Sequence, residues 1–471
     1  MSKGRRRLWI ILGVLAGLPC LSVGICLVAL RIGFARAGST LPRELSAATQ
    51  AGMPIEPEDL RRELAIPDSD NAVISYDLAI GEYRHAIPTL QSNFQTAESH
   101  VLDGRAGPAD VATVKAGLFH LRGGCEEARI AAGEPGLNWN RKWENGFGLE
   151  FPEYADLKGI VKALAARAIL ESEAGQSSAA IDDVESGFQI AHHLGQDPTI
   201  IASMVQLSTE GITETALEAV LNGPTTRGDL ARAAKIVGNL KDLPNPRFWL
   251  GGELVIERQT IRRIHSMNDL QAVIGSDGPP ADQDPFLMDW LLRDPSFRKA
   301  WEAKAVHYLR TAYAAIPAEN PSVSDVRSAM DRIDEETTAD RSLESMLNLL
   351  PVFSESGTAY ARAIARRRMM LVSIAALNAW KTQGSPPMSL PSLGKASMDP
   401  FSSKPLGYRR TRTGFRVYSV DADGVDDGGL IRREDLSGSR THDIAFRFGS
   451  ERKQPKPATA APAVPAVDPG D

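Results

Sequence analysis

Between Leu8 and Leu30 the chain runs 23 residues without a charge, LWIILGVLAGLPCLSVGICLVAL. As a helix rising about 1.5 Å per residue, this run reaches across a hydrocarbon core about 30 Å thick with some tilt. Pro19 is tolerable, because a membrane helix can re-satisfy the backbone groups that a proline frees. Residues 1–7 form a basic flank with Arg5, Arg6 and Arg7 directly before the run, and only Arg31 and Arg36 follow it closely. The positive-inside bias then holds the N-terminus in the cytoplasm and sends the rest outward. The expectation is a single-pass signal anchor at 8–30 in the inner (cytoplasmic) membrane, with the lipid bilayer as its partner and the body in the periplasm or outside. A cleaved signal peptide is the rival, with a shorter apolar core and Ala35-Arg36-Ala37 as its small-residue site. A lipoprotein fits less well, since Pro19 and Ile25 precede Cys20 and Cys26 where a small residue is wanted.

Four of the 53 basic side chains precede Arg31 and none of the 59 acids do. Removing those four cations from a net charge of −6 leaves about −10 on the exported part. Such a body has no general electrostatic pull on nucleic acid, so no nucleic-acid partner is expected. Cys125 is the only cysteine beyond the apolar run, which excludes an intrachain disulfide framework.

Residues 31–70 carry Pro42, Pro54, Pro57 and Pro67 and read as an extended stalk with one short helix, Pro57–Leu64. From 71 to 356 the pattern is helical. Leu157, Val161, Leu164 and Ala168 recur at helical spacing, as do Ile181, Val184, Phe188 and Ala191. Gly195 ends one helix, Asp197-Pro198 opens the next, and Gly223-Pro224 closes it. Thr226-x-x-Asp229 reads as a capping box. The proline- and acid-rich stretch 275–285 divides a first lobe, 71–274, from a second, 286–356. Helices are expected at Trp290–Ala315, Val323–Met346 and Gly357–Gln383. The period then shortens to that of strands at Leu406–Arg410, Phe415–Val420 and Asp443–Phe448. The tail, 451–471, is too rich in proline and alanine to fold. The fold class is mainly α, with a small C-terminal α+β unit carrying a short antiparallel sheet.

Few motifs carry chemistry. The histidines, at 85, 100, 120, 192, 193, 265, 307 and 442, show no metal-ligand spacing. His192 and His193 point about 100° apart on a helix and read as surface or partly buried. Cys125 reads as a buried structural thiol, and Arg366-Arg367-Arg368 as a solvated basic face. Glu253, Glu257 and His265 lie on roughly one side of a helical stretch and are the only acid–base set that suggests itself.

The pair Leu157–Ala174 and Ser178–His193 resembles one tetratricopeptide hairpin. Gly175 makes the turn, and Ala168 and Ala180 are the small residues that allow close approach. Arg167 and Glu171 stand where that family has apolar residues. Further on come a Pro-x-x-Leu loop after Gly384, Asp399-Pro400-Phe401, and a loop containing Asp421, Asp423, Gly424, Asp426, Asp427, Gly428 and Gly429. In this order they resemble the soluble half of type II secretion major pseudopilins, over residues 357–450. The resemblance implies a long helix leading to a small sheet and a calcium-binding loop. It departs where a pilin has its apolar segment at the head of that helix, and Gly33-Phe34-Ala-Arg-Ala lacks the glutamate of a pilin processing site. The whole layout, with Asp68-x-x-Asn71-Ala72 before the helical body, is similar to a group of uncharacterised bacterial single-span proteins. Calcium takes six to eight oxygens, and glycines let a chain wrap around it. Asp423, Asp426, Asp427 and Asp443 are the candidate ligands and Asp421 a weaker one; the alternative is an acidic turn whose carboxylates accept backbone N–H groups.

The expected function is a non-enzymatic, membrane-anchored scaffold or interaction protein of the cell envelope, with protein partners, no catalytic residues and no cofactor beyond calcium. A secretion- or pilus-system accessory and an exported hydrolase with dispersed residues are the alternatives.

Overall fold

A computed structural model describes residues 25–274, 285–340, 350, 353–430 and 442–453. Most of the expected span, nearly all of the 275–285 linker and the tail after 453 lie outside the described residues.

From Ile25, the first described residue, the chain is helical through to Gln50. It bends at Ser39-Thr40, where bonds from Ser39 N to Ala35 O and from Glu44 N to Thr40 O carry the chain into α1 (Leu41–Gln50). Among the described residues this is the one helix long and apolar enough to cross a membrane. Residues 31–63 do not form the extended stalk expected of them. Phe34 is only 4% exposed and meets Phe297 edge-on at 5.1 Å. Glu44, Ala48, Met53 and Leu60 are buried as well. The reason lies in where the prolines fall. Pro42 and Pro57 occupy the first turns of α1 and α2 (Pro57–Glu63), where a helix has no use for the missing N–H. The segment is therefore a strap of helices with one apolar side.

The body continues with α3 (Val73–Ala86), α4 (Phe94–Leu102), α5 (Pro108–Ala132), α6 (Pro152–Glu173), α7 (Ser177–Leu194), α8 (Ile200–Leu221) and α9 (Arg227–Gly238). Then come α10 (Pro246–Arg263), α11 (Met267–Ile274), α12 (Pro285–Arg293), α13 (Pro295–Ala315), α14 (Val323–Ala339) and α15 (Phe353–Gln383). The capping box at Thr226 forms as expected, with Asp229 N and Thr226 N each bonded to the other residue's side chain. Several boundaries differ, among them the end of the helix expected at Val323–Met346, which stops at Ala339. Thr199, not Asp197-Pro198, caps α8 by accepting from Ala202 N. The expected helix Trp290–Ala315 is interrupted at Asp294-Pro295, because the Asp294 carboxylate starts a fresh helix on Ser296 N. Ala168 and Ala180 are fully buried where α6 meets α7. Gly252 on α10 runs so close to the Pro198 carbonyl that any Cβ there would overlap it.

The core does not part at 275–285. Trp249, Leu250 and Leu254 of α10 share one cluster with Val306 and Leu309 of α13 and Val326 of α14. The expected start of the C-terminal unit, 357, also falls inside one continuous helix, α15. Phe353 and Tyr360 of α15 belong to that same cluster, whereas Met369 to Leu377 pack with α8, α9 and the sheet. The sheet is antiparallel in the order β1 (Gly407–Arg410), β2 (Gly414–Ser419), β3 (Ile444–Gly449), within a residue or two of the expected strands. Its register pairs Phe415 with Phe448 and Val417 with Phe446, so alternate residues turn one apolar face onto α15. Asn222 and Glu218 of α8 bond the outer edge of β3 at Arg447 and Gly449, which covers backbone groups that would otherwise invite another strand.

The arginine run is not a solvated face. Arg366 pairs with Glu214, Arg367 forms a two-pronged contact with Glu210, and Arg368 donates to Met398 O at 2.8 Å. Consecutive helical residues point about 100° apart, and α15 is surrounded, so each guanidinium meets a different element. Glu210 and Glu214 are both buried. Removing one partner of a buried pair leaves an uncompensated charge and costs about 3–5 kcal/mol. Arg367→Met should cost that much in chemical unfolding, and adding Glu210→Leu should recover most of the loss. A double variant as unstable as the sum of the two singles would show that the two residues do not act as a pair.

Candidate functional site

The acidic loop is organised by hydrogen bonds to its own backbone. Asp423 Oδ1 accepts from Val425 N at 3.0 Å, Asp426 Oδ1 from Gly428 N at 2.9 Å, and Asp443 Oδ2 from Gly429 N at 2.7 Å. Asp421 is taken by a bidentate pair with Arg362. Burial, then the neighbouring charges of Asp426 and Asp427, push Asp443 up to about 6. Among the described residues no three of His, Cys, Asp and Glu converge where they could hold a metal ion. Asp423, Asp426 and Asp443 thus each accept a backbone N–H of this loop. Asp399 anchors the same end of the sheet, accepting from Ser419 Oγ, Phe401 N and Val420 N.

The acid–base set does not assemble. Glu253 and Glu257 turn into the core, Glu257 with no exposure at all. His265 lies beyond the end of α10 and is exposed. Glu253 accepts from Ile200 N at 2.8 Å, and Glu257 lies buried beside Trp301. Burial pushes Glu253 up to about 7, and burial with the Glu253 charge beside it pushes Glu257 up to about 8. His193 is fully buried rather than superficial, its Nδ1 2.8 Å from the Tyr76 hydroxyl. Burial lowers His193 to about 3 and His192 to about 4, so both are neutral near pH 7. Cys125 is buried, and burial raises its thiol to about 12.

One feature that can receive a ligand is a cleft of about 910 Å³ between α4, α6 and α8. Lys158 and Lys162 stand one turn apart on the α6 wall, facing Gln95 and Ser99 on α4. Gly159 lies between the lysines, and a Cβ there would overlap the Tyr83 hydroxyl, so the glycine lets that ring into the wall. Burial pushes the Glu98 carboxyl up to about 7 against the pull of the Lys162 ammonium. Arg366 closes one end and is committed to Glu214. Among the described residues neither lysine lies within 4 Å of a carboxylate, while the arginines of the body pair widely. These groups come from segments more than 280 residues apart, so no motif could announce them. One local signal existed: two lysines four apart on a helix whose other positions, Leu157, Ile160, Val161 and Leu164, are apolar.

The buried carboxyls set a pH dependence. Below the ordinary value of 4.5 both folded and unfolded chains hold the Glu257 proton. From there to about 8 only the folded chain retains it, so this group removes stability as pH rises, by about 1.4 kcal/mol per unit. His192 and His193 act oppositely, removing stability as pH falls below 6.5. Melting temperature should therefore peak in mildly acid solution, and Glu257→Gln should gain on the natural chain steadily from pH 5 to pH 8. A pH-independent difference between the two would mean that Glu257 is ionised when folded.

No known protein family, curated protein or solved structure matches the chain, so what the site does is argued from the groups it brings together.

Proposed function

We propose that the protein is a non-enzymatic, membrane-anchored interaction protein of the cell envelope whose cleft receives an acidic, extended segment of a partner protein. The observation that carries this reading is the pair Lys158 and Lys162, open to the cleft and outside ion-pair range of any described carboxylate. On a body of net negative charge, two such ammoniums form a local exception that steers and holds carboxylates. Gln91, Gln95 and Ser99 supply the donors and acceptors that an extended backbone requires, and Leu90, Phe94 and Ile212 supply apolar contact. The N-terminal helix supports the anchor, and the arginines before Leu8 support an exported body.

A reporter enzyme active only outside the cytoplasm, fused after Lys453, should be active, and the protein should sediment with membranes. A soluble chain beginning at Gly38 would show that Ala35-Arg36-Ala37 is cut. For the cleft, a fluorescent glutamate-rich peptide should bind the purified chain, and Lys158→Glu with Lys162→Glu should weaken it at least about tenfold, since each charge reversal costs on the order of 1 kcal/mol. Equal binding by the natural and reversed chains would overturn the assignment of the cleft. Turnover of a substrate, abolished by Glu98→Gln, would favour the hydrolase alternative instead.

A further inference from the structure

The two edges of the sheet are finished differently: α8 covers β3, and β1 is left open. We propose that the open edge of β1 docks an extended, acidic strand of a partner protein, which lengthens the sheet by one strand. The site lies apart from the cleft, and the proposal stands without the cleft reading.

The register decides which backbone groups face outward. Thr411 N bonds Gly414 O at 2.8 Å across the hairpin, and Arg409 stands opposite Arg416 one step of the ladder earlier. In an antiparallel pair such bonds recur at every second residue. Gly407 and Arg409 therefore spend their N–H and C=O groups on β2, while Tyr408 and Arg410 turn theirs away from it. The same alternation places Arg447 N and Gly449 N on the outer side of β3, where Glu218 and Asn222 meet them. On β1 the outward group just before the strand is used, since Leu406 N donates to Ser397 O at 2.9 Å. The short turn Gly394–Ser397 then carries that chain off the edge. Among the described residues nothing accepts from Tyr408 N or Arg410 N, and such an edge is a template for another strand.

Charge selects the occupant. From Ser402 to Thr413 the chain carries Lys404, Arg409, Arg410 and Arg412 and no acid. Arg409 lies against Gly428 and shares the Tyr418 hydroxyl with Asp426, so its charge is spent on the acidic loop. Lys404, Arg410 and Arg412 are exposed. The contact of Arg410 is the Met388 thioether. All three cations stand outside ion-pair range of any described carboxylate, whereas Arg362 and Arg416 nearby are paired with Asp421 and Glu451. A second copy of this chain is the wrong occupant, because β1 paired with β1 about a two-fold axis sets arginine opposite arginine. An acidic strand meets complementary charge at the same place. Met388, 83% exposed beside Arg410, gives one of its side chains an apolar contact.

The test uses the full chain in detergent, with Lys158→Glu and Lys162→Glu in place so that the cleft repels acid. A fluorescent peptide alternating glutamate with valine should bind it, and a lysine–valine peptide should not. Methylating the backbone nitrogens of two adjacent central residues keeps the peptide's charge and blocks both of its edges, so affinity should fall at least about tenfold. Arg410→Glu with Arg412→Glu should weaken the unmethylated peptide by a similar factor. Exchange of the Tyr408 and Arg410 amides with deuterated solvent should slow when the peptide is bound. Equal affinity for the methylated peptide would overturn strand addition, and that arm leaves the protein untouched, so it holds whether or not the reversed chain folds. Equal affinity of the reversed chain, or no binding of the acidic peptide at all, would overturn the site. A dimer of the natural chain that is lost in Arg410→Pro, which removes an outward N–H, would make a second copy the occupant.

Discussion

Two buried glutamates on α8 decide how the rest of the molecule is held. Glu210 and Glu214 sit one turn apart and face the interior together, and burial, with the Glu210 charge beside it, raises the Glu214 carboxyl above its ordinary value. Water cannot solvate them, so cations must come to them. Arg366 and Arg367 of α15 do so, and this fixes the height and rotation of α15 against α8. Once α15 is placed, Arg362 reaches Asp421 and Arg368 reaches Met398 O, so two loops at one end of the sheet are registered by the same helix. Net stabilisation from such pairs is small after desolvation; their geometric demand is large, because a guanidinium offers donors in one plane only. Arg366 also closes the cleft. The packing of the core and the shape of the site therefore share a residue.

What was legible in the sequence follows from periodicity. The helical period at Leu157–Ala168 and the alternation Ile444, Phe446, Phe448 located α6 and β3, because a half-buried element writes its buried side into its spacing. The close α6–α7 approach was also visible in Ala168 and Ala180. What was not legible is the set of charged residues that point inward. Arg167 looks misplaced for a tetratricopeptide hairpin, yet it forks onto the two oxygens of Asp183 at 2.6 and 2.7 Å, an ion pair across the helix seam. Glu253 and Glu257 have the i, i+4 spacing of a solvated face and lie in the core instead. Spacing reports which residues share a side of a helix. It does not report whether that side meets water or another helix, and α10 and α15 are enclosed on more sides than a two-layer pattern anticipates.

The strap carries the same lesson into function. Four prolines in 31–70 suggested an extended stalk with one short helix, which would hold the body away from whatever anchors the chain. The structure replaces it with short helices joined by tied-down turns and with buried contacts. Phe34 enters the α13 cluster, Glu44 takes Arg310 and His307, and Arg258, itself fully buried, binds Glu302, Glu56 and the Ile55 carbonyl together. Gly52 O accepts from Tyr313 and Ala51 O from Arg247, so even the turn between α1 and α2 is tied down. Backbone held by buried partners at every turn opens only at a free energy approaching that of the whole domain.

A helix that passes from its exposed apolar end into such a strap cannot act as a swivel. The orientation of the body about the helix axis is set by Phe34, Glu44 and Arg258, and the cleft on α6 inherits it. For an interaction protein this matters more than affinity. On the proposed function, a partner held at the same membrane would meet a cleft at fixed height and bearing, so folding would already have met the orientational cost of encounter.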